Sequence, residues 1–130
     1  LRCPSDRPTS LDRWHRLKLR IRCALTVDDP QLIACFMAQS RALVRHGQLT
    51  PWRAAETTFR LLLDTAHDHA LPWHWRCLCL DHAYRPLREL ESLACSEAQQ
   101  CRLSLLCRQL AVTELVPSFP YLEPEGKRHE

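Results

Sequence analysis

Apolar side chains recur along this chain at three- and four-residue intervals, and proline repeatedly stands at the head of such a run. From Leu11 the apolar positions are Leu11, Trp14, Leu17, Ile21 and Leu25. The next run carries Leu32, Ile33, Phe36, Met37, Leu43 and Val44, and the one after it Trp52, Ala55, Phe59, Leu62, Leu63 and Ala66. Each set falls on one face of a 3.6-residue helix, the pattern of an α-helix that buries one side. The punctuation agrees. Ser10 can cap a first helix over 11–25. Asp29-Pro30 reads as a cap followed by a first helical residue, and Gly47 as the left-handed stop of that second helix near His46. Thr50-Pro51 repeats the start signal for a third helix over 51–67. Pro72 opens a fourth over 72–84. Pro86 either kinks that helix or begins a short one over 86–94. Ser96 to Gln99 is a capping box opening a last helix over 97–115.

Composition supports this. Only two of the 130 residues are glycine, and Val, Ile and Thr are sparse beside Leu, Ala, Arg, Gln and Glu. Short connections between amphipathic helices predict an all-α chain, a compact bundle of five or six antiparallel helices. Residues 1–9 read as a disordered tail, 10–116 as the helical domain and 117–130 as a flexible proline-rich tail. No stretch of about eighteen apolar residues predicts a membrane span. The opening LRCPSDRPTS has no apolar h-region, so no signal peptide is expected. Eight cysteines invite a disulfide framework, but most lie within helical apolar patterns, where a free thiol packs as a small hydrophobe. Reduced thiols and a cytoplasmic location are the expectation.

The stretch LPWHWRCLCLDHAYRPL, residues 71–87, concentrates potential metal ligands. Stepping about 100° per residue puts Trp75, Leu78, Cys79 and His82 on one face. His74, Cys77 and Asp81 share another stripe, so Cys77 and Cys79 diverge and cannot chelate one ion from a regular helix. Two readings remain. Trp75, Leu78 and Cys79 are core, with the indole N–H groups on carbonyls. Alternatively His74, Cys77 and Asp81 are a partial ligand set for zinc or iron, completed from another helix, with His67 a candidate. Asp64 and His67 resemble one arm of a di-iron bundle site, but no second arm follows. The plainer account of His67 and His69 is a solvated helix end. Glu56–Arg60 and Asp81–Arg85 are expected ion pairs of about 0.2–0.5 kcal/mol each.

Arg13, Arg16 and Arg20 form a basic stripe opposite the apolar face of the first helix. Such a stripe suits an acidic partner or stands solvated; no helix-turn-helix spacing accompanies it, so nucleic acid is not the expected partner. The net charge of +3 adds nothing more specific. Phosphate-loop, GxSxG, HExxH and CxxC patterns are absent. Nothing selects one nucleophile and base among eight cysteines and seven histidines.

The segments IRCAL (21–25), PWRAAETTFRLLLDTA (51–66) and LPWHWRCLCLDHAYRPLREL (71–90) resemble the FagA family of small bacterial proteins. The likeness spans about 14–115 and rests on the two Pro-Trp helix starts and the link between DTA and PWHWR. It implies a role in iron limitation or oxidative stress, since such proteins are encoded with a fumarase that needs no iron cluster and a manganese superoxide dismutase. It implies no site residues. The expectation is therefore a non-enzymatic adaptor acting by protein contact, with no cofactor. The alternative is a transition-metal-binding protein using His74, Cys77, Asp81 and His67. A thiol enzyme ranks last.

Overall fold

The computed structural model describes residues 9–119. The tail up to residue 8, and the proline-rich tail beyond residue 119, lie outside the described residues. Five helices make up the described chain: α1 (Ser10–Arg22), α2 (Gln31–Arg45), α3 (Pro51–Ala66), α4 (Trp73–Leu93) and α5 (Glu97–Ala111). The protein is all-helical and its helices are packed.

The cap chemistry explains most boundaries. At α1 the cap is Thr9, one residue before the predicted Ser10. Its hydroxyl accepts the Asp12 N–H at 3.0 Å, and the Asp12 carboxylate accepts the Thr9 N–H at 3.1 Å. That backbone bond holds the Asp12 carboxyl below the ordinary range. α2 begins at Gln31, one residue after Pro30, the expected first helical residue; the Asp29 carboxylate accepts the Gln31 N–H at 3.1 Å. Thr50 and Ser96 cap α3 and α5. Gly47 takes φ +76 after α2, with Gln48 N–H bonded back to Leu43 O at 2.9 Å and Gly47 N–H to Val44 O at 3.1 Å.

Three predicted boundaries are corrected; the simplest is that α5 ends at Ala111, short of 115. The first helix stops at Arg22, short of 25, because Ala24 turns left-handed at φ +53 and the chain reverses there. Leu25, expected in the core stripe, is consequently 65% exposed. Pro86 neither breaks α4 nor starts a new helix: α4 runs unbroken through it. Pro86 cannot donate to the His82 carbonyl, a loss that normally ends a helix. Here Ala83, Pro86, Leu87 and Leu90 continue the buried face begun by Trp75 and Cys79, so packing on α3 carries the helix across the gap.

The core forms around α3, which α1, α2 and α4 all pack against; its seam with α4 is the most extensive. Phe36 of α2 stacks on Trp14 of α1 at 5.5 Å between ring centroids. The Trp14 indole donates to Ser40 Oγ at 2.7 Å, and Ser40 donates to Phe36 O at 2.9 Å, so these buried polar groups are satisfied in series. Trp75 is fully buried and donates to Ile21 O at 3.0 Å, as the core reading of the 71–87 stretch requires.

Ala24 stands where glycine is favoured, since a Cβ in the left-handed region costs about 1–2 kcal/mol. Its neighbours repeat the Gly47 bonding: Leu25 N–H reaches Arg20 O at 3.0 Å and Ala24 N–H reaches Ile21 O at 3.1 Å. Ala24→Gly is expected to stabilise the chain by about 1 kcal/mol, read as a higher urea midpoint at unchanged slope. An unchanged or lowered midpoint would mean that the half-buried methyl contributes more than the strain costs.

Candidate functional site

Where α2 and α4 lean on α3 they scarcely touch each other, and a groove of about 390 Å³ opens between them. Its floor is Met37 of α2, Pro51, Ala54 and Thr58 of the first half of α3, and Pro86 of α4. Small side chains at successive turns of α3 keep the space open. The floor is chemically quiet. Thr58 Oγ1 donates to Ala54 O at 2.8 Å, and Ser40, which also lines the groove, is committed to Trp14 and Phe36.

The rim is cationic. Arg41 and Arg45 stand on α2, one turn apart, and Arg85 faces them from α4; all three are exposed. Glu89 is the one carboxylate among the lining residues. Among the described residues the ion pairs are Arg22–Asp68 and Arg102–Glu56, so none of the three rim guanidiniums is engaged in one. The arrangement can hold an amphiphile with acidic groups; the lining offers no nucleophile–base pair.

The sequence-predicted residues lie elsewhere. His74 and Asp81 are exposed and Cys77 is half-buried, on a stripe of α4 turned away from its buried face. His67 ends α3, its ring 3.2 Å from Thr113 Oγ1. Among the described residues no three His, Cys, Asp or Glu side chains are placed to hold a metal ion. Arg13 and Arg16 are exposed, while Arg20 is half-buried and donates to Thr26 Oγ1 at 3.3 Å. Neither expected one-turn ion pair forms among the described residues. Glu56 instead accepts from Trp52 Nε1 at 2.9 Å and Arg102 Nε at 2.7 Å, and Arg60 donates to Gln109 at 2.8 Å. Partners from α5 replace the neighbour one turn away.

Sequence reasoning missed the groove arginines. Arg41 and Arg45 at i, i+4 were a readable signal, but their pairing with Arg85 depends on how α2 and α4 sit across α3. It also missed Arg76, which is completely buried at the α3–α4 corner. In comparisons with known protein families, curated proteins and solved structures, nothing matches the chain.

The thiols separate by burial. Cys23, Cys35, Cys95 and Cys101 are exposed, whereas burial pushes the Cys79 thiol up to about 12. Burial, and then Glu91, also raises Cys107. Iodoacetamide at pH 8 should therefore modify Cys23, Cys35, Cys95 and Cys101 in the folded chain and spare Cys79, which becomes reactive only in urea; peptide mass spectrometry reads this directly. The sign for stability follows. A thiol kept protonated by the fold contributes its full share below its ordinary value of 9.0 and loses it as pH rises from there toward 12. Fast labelling of Cys79 in the folded chain would place it outside the core.

Proposed function

We propose that this protein is a non-enzymatic adaptor that docks a short acidic amphipathic helix of a partner protein in the groove between α2 and α4. The observation that carries this reading is the cationic rim over an apolar floor. Three guanidiniums outside the ion pairs of the described residues, facing one carboxylate, call for an anionic occupant, and the floor calls for an apolar face on it.

The form of the occupant follows from what the groove lacks. Its walls are helices, whose backbone groups are already bonded, so they offer no free edge to an extended peptide. A helix brings its own backbone bonds and needs only side-chain contacts. The α2 wall from Met37 to Arg45 spans about 12 Å, or roughly two turns, enough for anchors at i, i+3 or i+4, and i+7. Nucleic acid fits less well, because no aromatic lines the groove for base stacking and three cations track a phosphate backbone poorly.

The resemblance to the FagA family supports a setting for this activity, adaptation to iron limitation or oxidative stress, within a bundle of antiparallel helices in the cytoplasm. Among the described residues no helix is long and apolar enough to cross a membrane.

The test uses a fluorescently labelled fourteen-residue probe helix, leucines on one face and glutamates flanking them, and a lysine-flanked twin. Fluorescence anisotropy should show salt-sensitive binding of the acidic probe only. The double variant Arg41→Glu/Arg85→Glu should weaken it about 30-fold or more while circular dichroism stays unchanged, since two charge-assisted contacts of about 1 kcal/mol or more become repulsive. Equal binding of both probes, or no response to the double variant, would reject the groove as the docking site.

A further inference from the structure

Arg76 is fully buried, and a buried cation demands partners for every N–H it carries. Its Nε donates to Ala66 O, the last carbonyl of α3, at 2.8 Å, and Nη1 donates to Ser118 Oγ at 3.0 Å. The guanidinium lies over the Trp73 ring, 5.3 Å from the centroid. Nη2 has no partner. The neighbouring carboxylate, Asp68, is committed to Arg22 at 2.7 Å and to the Ala70 N–H at 3.0 Å.

What covers Arg76 is thin. After α5 the chain, residues 113–119, returns as an extended strap to the α3–α4 corner. Ser118 Oγ donates to Leu71 O at 2.6 Å, and the Phe119 N–H reaches His69 O at 2.8 Å. The Phe119 ring meets His69 edge-on at 5.6 Å, yet Phe119 is 64% exposed and Val116 54%. The end of the strap is thus held by a few polar contacts and buries little apolar surface, the profile of a segment that opens locally.

We infer that the strap covers a carboxylate-binding site built on Arg76, and that a small monocarboxylate with an apolar substituent binds there by displacing Ser118. With the hydroxyl gone, Nη1 and Nη2 present the end-on fork of the guanidinium, which matches the two oxygens of a carboxylate. A hydroxyl meets only one of those two nitrogens, which accounts for the orphaned Nη2. Trp73 offers an apolar wall for the substituent. A phosphate dianion is disfavoured, because Asp68 and the carbonyls of Ala66 and Leu71 surround the same space. The site lies at the opposite end of α3 from the groove, so this inference is independent of the docking reading.

Propionate is the probe, titrated into the full chain at constant ionic strength set with NaCl, with inorganic phosphate as comparison. The Arg76 Nε–Hε signal, protected by burial and its bond to Ala66, is followed by ¹⁵N-edited NMR. Expected is a saturable shift with propionate at millimolar Kd and none with chloride or phosphate. Ser118→Ala removes the competing acceptor and keeps the fold; it should tighten propionate binding about tenfold, the worth of one hydrogen bond to a charged group. Arg76→Lys, which keeps the charge but not the fork, should weaken it about tenfold. No saturable shift up to about 100 mM propionate, at millimolar affinity the range that must saturate, would overturn the site. So would an unchanged affinity in Ser118→Ala, and phosphate binding as tight as propionate would overturn the carboxylate assignment.

Discussion

The indole N–H of Trp75 reaches the Ile21 carbonyl and so ties the start of α4 to the end of α1, across the core that α3 occupies. Much depends on that one contact. It fixes the face that α4 turns inward, and with it the depth of Cys79, Ala83 and Leu90, all fully buried. It also places Arg76, the next residue, against the carbonyl end of α3. Burial of an indole brings large apolar area together with a single donor that must be satisfied. The Ile21 carbonyl, in the last turn of α1, is a suitable acceptor because carbonyls at helix ends lack some of their helical partners.

The helices were legible in the sequence because their signals are local. Thr50-Pro51, Gly47 and the Ser96–Gln99 box each report chemistry confined to one turn, and the structure uses all three. Signals that require a second element failed. Helical stepping put Leu78 in the core with Trp75 and Cys79, but Leu78 is only half-buried at the edge of that core. The buried face is rotated toward Arg76, a residue that any hydrophobic pattern assigns to solvent. Its interior place follows from the unsatisfied carbonyl at the end of α3, which no local reading of α4 contains. The same limit applies to α1. A period fitted through Leu25 cannot register that Ala24 adopts a left-handed backbone two residues after the helix ends.

The groove illustrates the same division. Arg41 and Arg45 are visible as a pair on one helix, whereas Arg85 joins them only through the third dimension. The exposed face of α1 with Arg13 and Arg16, and the stripe with His74 and Asp81, were singled out because clusters in sequence are easy to see. What distinguishes the α2–α4 groove is concavity, a property that arises when two helices share a neighbour without meeting. Charge gathered on a convex helix face stays in high dielectric and gains little from any partner, whereas charge at the lip of an apolar trough acts on a ligand already partly stripped of water.

Pro86 lies in the wall of that trough, midway along α4. The missing rung at the His82 carbonyl divides the longest helix into a first half anchored at the Trp75 corner and a second half that forms the groove wall. A helix bends most readily where its ladder is interrupted. Burial of Pro86, Leu87 and Leu90 against α3 makes up for that weak point, so the trough wall keeps its line by leaning on its neighbour and not by its ladder alone.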